Sequence, residues 1–274
     1  MALNIVLLVA TFITTLVSGA LMSGVNPILH PERIWIGLQF SLPLLAILGV
    51  HEMGHYTAGR RHGVDVTLPY FIPFLPLPPN PGTMGAIIKI RSPFPDRNAL
   101  MDIGAAGPMA GAMVAIPVLL VGLSLSHVQP VAGIGGGEFR LGDPLILKAA
   151  VRVMFGALPA GSDVMLHPVA YAGWIGLLVT MLNLIPSGQL DGGHVAYALF
   201  GGRYGQVARL IPFGLILMGF VNQVWFVWAG LLFVMGTRHP EPIDPDAPLT
   251  PGRRAIGFAS FILFVLTFSP NPIS

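Results

Sequence analysis

The 274-residue chain contains no cysteine, which excludes disulfide frameworks and thiolate metal sites, so any metal must be held by His and carboxylate. Charge is almost as scarce. Only 9% of residues are charged, far below the ~25% of an ordinary soluble domain. The net charge of +2 and pI near 9.2 arise without the basic cluster that marks a nucleic-acid surface, so nucleic acid is not an expected partner. Internal repeat symmetry, which many transporters carry, is lacking as well.

Apolar sequence fills the space these absences leave. Hydrophobic residues make up 54% of the chain and the mean hydropathy is +0.75. Charge-free stretches cover 1–31, 34–50, 103–137, 164–189, 210–237 and 255–274. Most exceed the ~17–20 residues that a helix needs to cross a bilayer core. The lipid bilayer is thus the expected surroundings of an integral, multi-pass protein. No Arg or Lys precedes the first apolar stretch and no small-residue cleavage site follows it, which reads as an uncleaved span.

Spans are expected at 3–22, 34–58, from about 98 onward, 168–187 and 255–268, with shorter pieces at 206–220 and 224–236. The pattern predicts an all-α polytopic fold of about six to seven transmembrane helices. Between the second and third spans, prolines at 69, 73, 76, 78, 79, 81, 93 and 95 forbid a helix, whereas GAIIKI at 85–90 has strand composition. A membrane-associated β-hairpin or extended segment is expected there. The small residues of GAAGPMAGA, 104–112, suit close helix packing. The polar, Gly-rich connection at 127–167 is too short for an inserted soluble domain, so the whole of 1–274 reads as one membrane-embedded domain.

Residues 210–237 fit either one long tilted helix or two short ones broken at Asn222 and Gln223. With two crossings and a cytoplasmic N-terminus, ten Lys and Arg fall inside and four, Arg33, Arg140, Lys148 and Arg152, fall outside. A single crossing gives seven on each side. Two short helices are therefore expected.

HEMGH at 51–55 sets two imidazoles one helical turn apart, where His51 and His55 can ligate one ion while Glu52 accepts a proton from water. Polar groups this deep in a span are costly and face a partner or a wet cavity. A catalytic zinc also needs a third protein ligand and an open position. Asp191 stands out, because it follows the fourth span in NLIPSGQLDGGH (183–194), and spans two and four run in the same direction. Both deliver their polar groups to the cytoplasmic side.

HEMGH together with NLIPSGQLDGGH resembles the site-2 protease family of intramembrane zinc metalloproteases, and GAIIKIRSPFPDRNALMDIGAAGPMAG (85–111) is similar to the same family. The resemblance implies one zinc per chain held by His51, His55 and Asp191, with Glu52 as base and Asn183 helping to hold the substrate or the oxyanion. It also implies cleavage of peptide bonds within or near transmembrane segments of membrane protein substrates. The competing class is a zinc-binding membrane scaffold without catalysis, or an ion-coupled transporter. Glu52 argues against a scaffold, since a pseudoprotease is expected to lack the base.

Other polar residues receive blander readings. His194 suits either a hydrogen bond near Asp191 or a plain helix end, and Asp102 reads as the cap of the third span. His30, His62, His127, His167 and His239 lie in connections and are expected to be solvated.

Overall fold

A computed structural model describes residues 1–77, 80–130 and 141–272. Prolines 78 and 79 and the segment 131–140, with Arg140, lie outside the described residues. The described chain is mostly helical, with two small sheets. Among the described residues, three helical stretches are long and apolar enough to cross a membrane. These are α1 (Ala2–Met22), the run Pro31–Arg61, whose 3₁₀ start Pro31–Gly37 leads into α2 (Leu38–Arg61), and α3 (Arg97–Ser124).

The chain then shortens its helices. Next come α4 (Leu145–Phe155), α5 (Pro168–Asn183), α6 (Asp191–Phe200), α7 (Tyr204–Ala208), α8 (Ile211–Gly219), α9 (Val224–Met235) and α10 (Pro251–Thr267). The 16 residues of α5 rise only about 24 Å, short of a ~30 Å hydrocarbon core. It is nonetheless central, packed between α2 and α3, where Phe40, Leu44, Ile47, Ala115, Leu119, Trp174 and Leu177 are buried together. Lipid tails are as apolar as these side chains, so van der Waals fit must hold the helices together. Glycine supplies that fit. A Cβ on Gly173 would stand 2.6 Å from the Leu119 backbone nitrogen, and Gly122 abuts the backbone of Ala170.

Between α2 and α3, β1 (Tyr70–Pro73) and β2 (Thr83–Ile87) form an antiparallel hairpin with Tyr70 opposite Ile87. The expected strand at 85–90 therefore begins two residues earlier. Beyond β2 the pairing continues irregularly, with Val66 opposite Ile90 and the Thr67 amide donating to the Lys89 carbonyl at 3.1 Å. A second antiparallel pair, β3 (His127–Pro130) with β4 (Ser162–Met165), which α4 separates in sequence, departs from the all-α expectation for the rest of the chain. Its residues lack the apolar run that betrayed β2.

Three local expectations are corrected. Asp96, not Asp102, caps α3, its Oδ1 accepting from the Ala99 amide at 2.7 Å, because the helix starts at Arg97. The fourth span ends at Asn183, since Pro186 and the turn around it intervene, and Asp191 opens a new helix instead of closing the old one. His62 is half-buried and not free in solvent, its Nε2 lying 2.8 Å from Asp102. Residues 210–237 form two short helices, as the charge balance requires, with the break at 220–223.

Candidate metal centre

The last turns of α2 carry His51, Glu52 and His55, all buried in spite of their polarity. The start of α6 brings Asp191 against them. His51 Nε2 and His55 Nε2 lie 3.2 Å apart, and Asp191 Oδ2 lies 3.3 Å from the first and 3.2 Å from the second. The three ligand atoms thus form a nearly equilateral triangle.

Protonation chemistry shows what the triangle lacks. His55 Nδ1 is 2.7 Å from the carbonyl of Ile103, which only accepts, so that nitrogen carries the proton. Its Nε2 then presents a bare lone pair toward a carboxylate oxygen. Lone pairs converging in a buried place repel unless a cation joins them. The edges also have the right length: three ligands about 2.0–2.1 Å from a tetrahedral ion stand about 3.4 Å apart. The residues present fit a small, tetrahedrally bound cation, and these three are the group of described residues whose ligand atoms converge this way.

Helix α3 makes room for the rings. A Cβ at Gly107 would land on the His55 ring, and one at Gly111 would stand 3.0 Å from His51 Nδ1. The small-residue segment 104–112 therefore does more than bring helices together. Its glycines shape the cavity for both imidazoles, and its Ile103 carbonyl orients one of them. Small residues alone suggest only packing for this segment; the shared i, i+4 spacing of Gly107/Gly111 and His51/His55 is the sequence signal for the cavity.

Asn183, the last residue of α5, places its side-chain nitrogen 3.4 Å from His51 Nε2. Glu52 is not part of the triangle. It faces the hairpin, where the backbone N–H of Ile88 approaches its carboxylate. So the predicted site residues come together, and the end of β2 comes with them.

His194 and His239 form a pair that sequence did not anticipate. His194 lies one helical turn after Asp191 and turns its Nδ1 to His239 Nε2, 2.6 Å away. His239 Nδ1 is 2.6 Å from the Pro240 carbonyl, so it holds the proton there and Nε2 accepts from His194. Burial keeps His239 neutral, lowering its pKa to about 4. Its ring stacks on Tyr197, centroids 4.7 Å apart. His239 is thus not solvated: it pins the segment after α9 to the helix that Asp191 begins.

Residues 39–218, well over half of the chain, match peptidase family M50, a membrane-embedded family. The chain belongs to that family, the site-2 proteases that its motifs resemble. Among curated proteins it is similar to the probable zinc metalloprotease EGY1, chloroplastic, of Arabidopsis thaliana, at 34% identity over 87% of this chain and 44% of that protein. It is also similar to two rice proteins from Oryza sativa subsp. indica. Probable zinc metalloprotease EGY2, chloroplastic, is 30% identical over 88% of this chain and 44% of that protein. EGY3, of the same description, is 32% identical over 96% of this chain and 47% of that protein. The chain spans less than half the length of these relatives. No solved structure matches it.

Proposed function

We propose that the chain is an intramembrane zinc metalloprotease, one zinc per chain, acting on peptide bonds within or near transmembrane segments of membrane protein substrates. The observation that carries this reading is the triangle of His51, His55 and Asp191 at 3.2–3.3 Å beside a buried Glu52. Membership of family M50 and relatives named zinc metalloproteases support the metal and the reaction.

Zinc held there supplies Lewis acidity to the scissile carbonyl and acidifies water. The protein does the rest. Glu52, one residue from His51, takes the proton of the attacking water and returns it to the leaving amine. The His55 ring keeps its orientation through Ile103, and Asp191 completes the ligand set from the neighbouring helix. The Asn183 amide, beside His51, donates to the carbonyl oxygen as charge develops on it.

Substrate enters as an extended strand. A transmembrane helix buries each peptide bond in its own hydrogen bonds, and unwinding leaves amides unpaired at several kcal/mol each. One edge of β2 pairs with β1; along the other, among the described residues, no strand lies, and the backbone of Ile88, the residue after its end, approaches Glu52. A substrate strand added there gains backbone partners without side-chain readout and delivers its backbone to the base. The whole chain works as one membrane-embedded domain of six to seven spans, with this site on the cytoplasmic side, where ten of the fourteen Lys and Arg then lie.

The test is cleavage of a panel of single-span substrates by purified protein, with and without chelator. Proteolysis that stops with chelator and returns with zinc is expected. Cleavage that persists after zinc is stripped would refute the reading.

A further inference from the structure

Helices α8 and α9 form a hairpin whose outward side chains are strongly exposed and apolar, with Leu217 at 70%, Val227 at 72% and Val234 at 87%. In a membrane-embedded protein such a face meets acyl chains. At the end where the hairpin meets α7 and the segment following α9, a cavity of about 500 Å³ opens. It is lined by Arg209, Phe213, Leu232, Phe233, Met235 and Arg238, a volume within the ~300–1,000 Å³ range of small-molecule sites. Phe213 and Phe233 meet edge to face, centroids 5.8 Å apart, and build an apolar wall.

The two guanidiniums distinguish this cavity from a plain cleft. Among the described residues the ion pairs join Glu32, Asp102 and Asp191 to His30, His51, His55, His62 and Arg253, and none includes Arg209 or Arg238. Other arginines are engaged by the protein: Arg97 donates to the Ala198 carbonyl at 2.6 Å, and Arg253 to Asp102 at 2.7 Å. Arg209 and Arg238 come from separate segments yet line this one cavity, and among the described residues neither forms an ion pair. The planar forks of arginine suit phosphate oxygens, and two of them on one rim can hold one anion.

We infer that this cavity binds an anionic phospholipid, with its phosphate between Arg209 and Arg238 and an acyl chain against Phe213, Leu232 and Phe233. Apolar wall and cationic rim lie in the order that a lipid presents tail and headgroup at the edge of a leaflet. The inference holds whatever reaction the metal centre performs. The cavity also adjoins the turn that leads to Asp191, since a Cβ on Gly188 would stand 2.5 Å from the Gly236 carbonyl oxygen at the cavity's lining.

The experiment is native mass spectrometry of the full chain, stripped of lipid in neutral detergent, with phosphatidylglycerol, phosphatidylcholine or inorganic phosphate added at equal concentration. One phosphatidylglycerol should be retained at least tenfold more strongly than phosphatidylcholine, and Arg209→Gln with Arg238→Gln together should abolish that preference. Equal retention of the two lipids by the unaltered protein would overturn the inference, and this arm needs no variant to fold. So would a double variant that keeps the preference. A third overturning result is inorganic phosphate raising the melting temperature as much as phosphatidylglycerol does, which would make the site a bare anion site.

Discussion

Two His-carboxylate clusters draw their histidines from α2 or the residue that follows it, one meeting Asp102 of α3 and the other Asp191 of α6, and they solve their electrostatics in opposite ways. In one, Asp102 of α3 accepts His62 Nε2 at 2.8 Å and the Arg253 fork at 2.7–3.0 Å, so the protein itself neutralises the carboxylate. In the other, Asp191 meets His51 and His55 with no arginine or lysine among the described residues paired to it, and the His55 proton faces away. The first cluster is half-exposed and complete; the second is buried and needs a cation. A carboxylate with histidines is therefore a staple or a metal site depending on whether the protein also supplies the positive charge.

The contrast predicts that substitutions around Asp191 act on zinc, and those around Asp102 only on stability. The largest effect is expected from Gly107→Ala, whose Cβ would displace the His55 ring. Zinc content and proteolysis should vanish together, as read by elemental analysis and substrate cleavage. Retained zinc would show that the ring has room to move aside.

Glu52→Gln comes next. It leaves the triangle untouched but removes the proton acceptor, so turnover should fall by about 10²–10⁴-fold with zinc retained. Loss of zinc in this variant would make Glu52 a ligand instead of a base.

A smaller effect is expected from His239→Leu. His194 anchors α6 through His239, and a rotation of about 10° would carry a carboxylate ~5 Å from the helix axis by about 1 Å. Zinc affinity, measured by competition with a chelator, should weaken about tenfold, and His239→Gln, which keeps an acceptor, should restore most of it. Unchanged affinity in the leucine variant would reduce the histidine pair to a loop contact.

The smallest effect belongs to the staple. Asp102→Asn should cost about 1 kcal/mol, because the pair with Arg253 is partly solvated, and lower the melting temperature by roughly 2–4 °C. Zinc occupancy should not change.

The reach of the sequence follows the range of the interactions. HEMGH announces His51 and His55 because both sit on one helix, and proline density announces the β1–β2 hairpin because backbone sterics are local. Asp191 was reachable through chain direction, once spans two and four were seen to run in parallel. His239, 45 residues from His194, had no such signal, for nothing in RHP says which helix it will touch. Asp102 looked like a cap because it stands near a helix start; Arg253, 151 residues away, gives it its actual partner. The boundary of α5 is local by contrast, since Pro186 and the turn around it end the helix at Asn183 before Asp191 opens the next one.

The central claim is that the Asp191 cluster binds zinc and the Asp102 cluster does not. Zinc stoichiometry in purified wild type, Asp191→Ala and Asp102→Ala tests it most directly. The account predicts one zinc per chain in wild type and Asp102→Ala, and loss of zinc in Asp191→Ala. Full zinc in Asp191→Ala, or its loss only in Asp102→Ala, would contradict it.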